Sequence, residues 1–440
     1  MIPALPAAEL EPLCNPALAA RLPTLAAAMD AATMAQHLQR ALFSGSPSRV
    51  IACGRPRAVL DGDSCALQYP VTLLGSDGAA LQLPVLAEVF ATAEAARDMH
   101  DTLLGPLSEE WGRIDIAQLT WSAALGELRM ACSVFPVSAA LPQLVRVLAP
   151  GYLDALLQSS LRDTEIRVES DELVVLRRTR GCVLRVRIEG REPRTAYAKV
   201  GYAAYGGAAA DALAQLRSGP VTPALRLPEV LGRDDALDVT VLAELPGTRP
   251  DLRTDAEQMV GAAARCAALL HASRVEGAPH RTLHDEVARA SDAVDRVAPY
   301  APAVSSWLRD VLHDAESAAG GGEEAPVFCH GDLAPSQVLL HEGVPAILDF
   351  DKCCSAEPAL DLGRYLAYLR FALAKAGDPR SDPLAKGFLR TYETAGGTVP
   401  PAARLAAYET VALVRMAARS WLQLKPQRLR LACDVIARRL

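Results

Sequence analysis

The chain carries Val327-Phe328-Cys329-His330-Gly331-Asp332-Leu333, then Gln337-Val338-Leu339-Leu340, then Ala346-Ile347-Leu348-Asp349-Phe350-Asp351. Asp332 and Asp349 are carboxylates and Gln337 offers an amide carbonyl, all hard oxygen donors of the kind magnesium prefers. The apolar runs on either side of His341-Glu342-Gly343 read as a β-hairpin. A hairpin sets the start of its first strand beside the end of its second. Gln337 and Asp349 are therefore expected to lie together, with Asp332 just upstream on the entering loop. Two oxygen ligands and a nearby carboxylate at one edge suit a Mg²⁺–nucleotide site, because magnesium takes few protein ligands and fills the rest with phosphate oxygens and water. A single Asp here would read as a surface acid on a hairpin. The three segments in this order point to phosphate chemistry instead.

These residues resemble the catalytic segment of the aminoglycoside phosphotransferase and choline kinase family, which shares the protein-kinase fold. The resemblance covers about residues 165–440 and is most specific over 327–363. It implies that ATP is the donor, that Asp332 orients the substrate hydroxyl and accepts its proton, and that Gln337 and Asp349 hold Mg²⁺. Glu357-Pro358-Ala359-Leu360-Asp361-Leu362 is similar to the family's Asp-Pro-Ala-x-Asp-Leu. Gln337 stands where Asn is usual. It keeps the carbonyl ligand but adds a methylene, so its reach differs.

The upstream half supplies the remaining parts of such a site. Lys199, in Ala196-Tyr197-Ala198-Lys199-Val200, fits the strand lysine that meets the α- and β-phosphates. Strand alternation turns Tyr197 and Lys199 away from Ala196, Ala198 and Val200. Asp211, on the next helix, is the candidate acidic partner of Lys199, with a solvated helix acid as the ordinary alternative. Arg178, Thr179, Arg180 and Gly181 form the expected phosphate-covering turn, although it holds one glycine where protein kinases have several. Glu244 and Leu245 resemble the interlobe hinge, whose backbone would pair with the adenine edge. Asp351 is open between ligand contact and structural hydrogen bonding. Asp361 is expected to anchor a loop or cap a helix.

These parts require a bilobal α+β frame: a small antiparallel N-lobe over 141–248 and a mainly helical C-lobe over 249–440. An additional α+β region precedes them over 1–140. The first two regions echo each other. Leu22-Pro23-Thr24-Leu25 ending in Leu38-Gln39 parallels Leu141-Pro142-Gln143-Leu144 ending in Leu157-Gln158. Cys65-Ala66-Leu67 parallels Cys182-Val183-Leu184, and Phe135-Pro136 parallels Leu245-Pro246. The first region then reads as a degenerate repeat of the N-lobe. It has Glu88 where the second has Lys199, and a carboxylate there would repel phosphate. Such a cap is expected to pack on the N-lobe or to help bind substrate.

Composition excludes some partners. A net charge of −7 argues against nucleic acid or an anionic membrane held by bulk charge. Apolar stretches are broken by charge or proline before membrane-spanning length. Ten cysteines without a Cys-x-x-Cys suggest a reducing, cytoplasmic setting. The expected partners are a nucleotide and a hydroxyl-bearing small molecule such as a sugar or antibiotic. Two rivals stand beside that reading, a kinase for Ser or Thr of a peptide and a binding module without chemistry.

Overall fold

The computed structural model describes residues 5–114, 119–177, 181–190, 193–201, 203–221, 223–322 and 324–439. In the first region, helices α1 (Pro16–Arg21), α2 (Leu25–Ala28) and α3 (Ala31–Leu42) precede a sheet. Asp30 caps α3 by accepting from the Thr33 amide at 2.7 Å. Met34, Leu38 and Leu42, spaced one turn apart, are its buried stripe. Strands β1 (Arg49–Cys53), β2 (Arg57–Asp61), β3 (Ser64–Leu74) and β4 (Ala80–Phe90) follow, then α4 (Ala93–Met99), α5 (Gly105–Gly112), β5 (Ser122–Leu125) and β6 (Met130–Val134). All pair antiparallel in the order β2-β3-β4-β6-β5, with β1 pairing farther along β3.

The second region opens with α6 (Leu144–Val147) and α7 (Tyr152–Leu161) where the sequence suggests one helical stretch over 141–157. Pro150-Gly151 divides it: proline cannot continue α6, and Gly151 takes φ 82° at the N-cap of α7. Strands β7 (Arg167–Arg177), β8 (Gly181–Glu189) and β9 (Arg194–Val200), helix α8 (Ala203–Ser218), and strands β10 (Val230–Asp234) and β11 (Val239–Ala243) complete it. Their antiparallel order is β7-β8-β9-β11-β10. Each region thus has three hairpin-joined strands, a helical connection, and two further strands added in reverse order. Glu88 on β4 lies opposite Ala66 and Ala131, and Lys199 on β9 lies opposite Val183 and Thr240. The two residues occupy matching places on the third strand.

The third region contains α9 (Ala256–His271), α10 (Leu283–Asp295), α11 (Pro302–Ala318), four short strands and four further helices. Strand β12 (Val327–Cys329) pairs with β15 (Cys354–Ala356), and β13 (Val338–His341) pairs with β14 (Val344–Ile347). Glu342 and Gly343 join the latter pair with φ of 52° and 81°, the positive pair that a tight two-residue hairpin requires. Helices α12 (Ala359–Ala376), α13 (Ser381–Thr394), α14 (Ala402–Leu422) and α15 (Pro426–Ala437) close the chain.

One continuous apolar core joins the first region to α10, α11, α14 and α15, whereas the N-lobe sheet has its own core. The first region therefore packs chiefly on the C-terminal helices rather than on the N-lobe. Polar ties explain the choice of surface. The Glu9 carboxylate accepts from the amides of Ala303 and Val304 at 2.8 and 3.0 Å, neutralising the start of α11. Asn15 donates to the Tyr300 carbonyl at 2.8 Å, and the Trp421 indole donates to the Glu9 carbonyl at 2.8 Å.

Candidate functional site

Gly331 sits at φ 75°, and a Cβ there would collide with the carbonyl of Lys352, so only glycine fits the loop. Arg281 holds that carbonyl from the far side at 2.8 Å. Asp361, fully buried at the start of α12, accepts from the amides of His330 and Gly331 at 2.6 and 2.8 Å. His271 faces the same carboxylate at 3.3 Å and is held by the Tyr392 hydroxyl at 2.8 Å. Burial alone would raise the Asp361 pKa, but His271, His330 and the loop amides hold it low. Asp361 is the loop anchor read from the sequence. His271, Cys329 and Asp361 lie close enough to suggest a metal set. Both Asp361 oxygens already accept loop amides, and burial raises the Cys329 thiol well above its ordinary range. The cluster works as structural support.

The anchored loop presents Asp332 between two cations. Lys352 Nζ is 2.5 Å from one carboxylate oxygen and Arg364 Nη1 is 3.3 Å from the other. Burial would raise Asp332, yet Lys352 and Arg364 outweigh it and hold the carboxyl down to about 2. The group is therefore an ionised acceptor at neutral pH, and a weak base of this kind acts chiefly by orienting a hydroxyl. Arg364 is itself fixed by Glu286 at 2.7 Å, and Glu286 also pairs with Arg415, Arg281 and Arg289.

On the other side of the hairpin sequence, Lys199 Nζ donates to Asp349 at 2.8 Å and to Asp351 at 2.5 Å. Burial and the adjacent Asp349 push Asp351 up to about 7. At Asp349, Lys199 outweighs burial and holds the carboxyl well below the ordinary carboxylate range. Asp349 takes the left-handed φ of 70° just beyond β14, which carries it out of the strand. The Gln337 carbonyl accepts from the Leu348 amide at 3.0 Å, setting Gln337 beside Asp349 as the hairpin argument requires. The Gln337 Oε1 is buried and has no hydrogen-bond partner among the described residues. An orphaned amide oxygen next to an ionised carboxylate fits a hard divalent cation.

Other expected residues fall differently. Asp211 does not reach Lys199. Ala210, Ala212 and Leu213 take the buried face of α8, so Asp211 points outward and meets Arg233 at 3.4 Å. Arg178, Thr179 and Arg180 lie outside the described residues, and Gly181 begins β8 opposite Arg177. The Glu244 amide makes the last sheet bond, to the Thr195 carbonyl at 3.0 Å. The chain then leaves the sheet through Leu245, and Thr248 bridges to Leu340 on the hairpin. Glu244 and Leu245 both line a cleft between the sheet and the hairpin. Burial raises the Cys353 and Cys354 thiols to about 12, which makes them poor nucleophiles.

Sequence reasoning missed Lys352, Arg364 and Glu286. Arg364 did leave a signal, a lone cation in the apolar run Leu362-Gly363-Arg364-Tyr365-Leu366 that needed a buried partner. Nothing in the local sequence distinguishes Glu286 from an exposed helix acid. Asp332 and Arg364 also line a cavity of about 490 Å³, bounded by β2 and β3 of the first region, by the end of β7 in the N-lobe and by α12, α14 and α15.

A five-stranded antiparallel lobe joined to a helical lobe, with an anchored carboxylate loop and a metal-fitting hairpin, is the frame of a kinase-like phosphotransferase that acts on hydroxyl groups. The chain belongs to the phosphotransferase enzyme family known as APH, whose pattern it matches over residues 164–408. Among solved structures it is similar to an aminoglycoside-3'-phosphotransferase of type VIII, at 24% identity and TM-score 0.42 over 58% of this chain and 97% of that one. It is also similar to a macrolide 2'-phosphotransferase from Brachybacterium faecium, at 15% identity and TM-score 0.43 over 64% and 98%. A Plasmodium vivax ethanolamine kinase aligns at 12% identity and TM-score 0.48 over 66% and 87%. No curated protein matches the chain significantly. No helix among the described residues is long and apolar enough to cross a membrane.

Proposed function

We propose that the enzyme moves the γ-phosphoryl group of ATP, bound with Mg²⁺, to a hydroxyl of a small molecule in the cytoplasm. The observation that carries this reading is the ionised Asp332, held by Lys352 and Arg364 at the wall of a 490 Å³ cavity. That volume lies in the small-molecule range and favours a compact acceptor over an extended peptide. Asp332 orients the hydroxyl and accepts its proton. Lys199 steadies the phosphates, Arg178, Thr179, Arg180 and Gly181 contribute to holding them, and Glu244 and Leu245 meet the adenine edge. Gln337 and Asp349 hold Mg²⁺, which supplies neutralising charge to the phosphates when bound.

The same reading divides the chain into a cap over 1–140, an N-lobe over 141–248 and a C-lobe over 249–440. The cap is a degenerate repeat of the N-lobe, an interpretation that rests on the shared strand order and on the matching places of Glu88 and Lys199.

Calorimetry with ATP, with and without Mg²⁺, on wild type and Asp349→Ala tests the site. Binding that requires both Mg²⁺ and Asp349 supports it. Mg²⁺-independent binding, or full affinity in Asp349→Ala, removes the metal assignment.

A further inference from the structure

The cavity beside Asp332 has a charge opposite to that of the whole protein. Its described lining carries six arginines and a lysine against a single carboxylate, Asp332, a formal charge of +6, whereas the chain as a whole carries −7. Glu286 stands behind the wall and is shared among Arg364, Arg415, Arg281 and Arg289, so it offsets little of this excess.

The cations come from separate parts of the chain. Helix α12 supplies Arg364, α14 supplies Arg415 and Arg419, the turn after it and α15 supply Lys425 and Arg428, the end of β7 supplies Arg177, and the β2 strand of the first region supplies Arg57. Neighbouring positive charge reaches these groups from one another. Burial, then Arg364 and Arg419, push Arg415 down; burial, then Arg428 and Arg57, push Lys425 down. One set of cations therefore stands next to Asp332, and a second set stands where the first region meets the C-terminal helices. Like charges gathered in a recess repel one another and focus a positive potential into it. Guanidinium groups are also the side chains best matched to the planar or tetrahedral oxygens of oxyanions.

We propose that the phosphoryl acceptor is an anion, a small hydroxyl compound that also bears phosphate, sulfate or carboxylate, gripped between the C-terminal helices and the sheet of the first region. This rests on the phosphotransferase reading above and deepens it. The first region then has a function that its lack of a catalytic loop would not suggest, because Arg57 and the β2–β3 wall complete the acceptor site. A polycationic acceptor such as an aminoglycoside is repelled from this cavity.

The test has two arms on the full chain. In the first, inorganic phosphate, sulfate and citrate are titrated without nucleotide into wild type, Arg57→Ala and Arg419→Ala, with Mg²⁺–ATP binding as the check on folding. In the second, glucose, glucosamine, glucose 6-phosphate and glucuronate are compared as acceptors with Mg²⁺–ATP. Each arginine replacement is expected to weaken oxyanion binding roughly tenfold, the loss of one charge-assisted hydrogen bond. The two anionic sugars are expected to exceed glucose and glucosamine in kcat/KM, with a gap that narrows as salt is raised. Oxyanion binding that is absent, or indifferent to Arg57 and Arg419, overturns the proposal, as does a preference for glucosamine. Failure of Mg²⁺–ATP binding in a folded wild type would instead strike the phosphotransferase reading. Oxyanion binding that still depends on Arg57 would then uphold the anion-binding cavity on its own.

Discussion

Replacing Glu286 by Gln tests the electrostatic frame behind Asp332. The Glu286 side chain is 1% exposed and pairs with four arginines. Burial would raise its pKa, but Arg364, Arg415, Arg281 and Arg289 outweigh that and lower it from 4.5 to about 2. A drop from 4.5 to about 2 corresponds to about 3 kcal/mol in favour of the folded state above pH 5. Because the folded pKa is depressed, this stability is present above the unfolded value and is lost as pH falls from there towards about 2. By pH 3.5 about 1 kcal/mol of it has gone. Gln mimics the protonated acid and has no such dependence. Urea unfolding of wild type and Glu286→Gln should therefore differ by about 3 kcal/mol at pH 7 and by about 2 kcal/mol at pH 3.5. A gap that stays constant across this window would refute the reasoning, since a purely steric effect of the substitution does not titrate. The same variant loosens Arg364, so turnover should fall while Mg²⁺–ATP affinity holds.

Two further outcomes can be stated from the loop itself. Asp332→Ala should lower turnover by roughly 10²–10⁴-fold in a chain that still folds, the range for losing a positioned acid or base, with some loss of stability because Lys352 and Arg364 lose their shared carboxylate; full turnover would remove Asp332 from the chemistry. Asp361→Asn turns an amide NH₂ towards one of the two backbone N–H groups that the carboxylate now accepts, at a cost of about 2–3 kcal/mol. Amide exchange at His330 and Gly331 should quicken accordingly, and unchanged protection would contradict the anchoring role.

The hairpin was legible because its geometry follows from local residues. Glu342-Gly343 sets the turn, the turn sets the register, and the register brings Gln337 beside Asp349. The face that Lys199 takes on β9 was legible from strand alternation, and the small residues around Asp211 explain why that acid turned outward. What sequence could not supply were pairings made across the fold. Lys199 meets Asp349 and Asp351 some 150 residues away, and Asp332 is framed by an arginine whose partner, Glu286, lies on another helix. The face chosen by the first region was hidden for the same reason. Its apolar stripes are visible in the sequence, but they do not say that α11, α14 and α15 will cover them.

That choice of partner bears on how the chain is made. Trp421 closes on Glu9 across 412 positions, and Tyr300 receives Asn15 across 285. Residues around Glu9 and Asn15 thus complete their core with residues made some 300 to 400 positions later. At about 5–20 residues per second they wait on the order of half a minute or more with apolar surface uncovered. Contacts of such long range also close slowly, because the entropy of the intervening chain is lost before they form. During synthesis the first region is therefore a part of this enzyme that calls on chaperones.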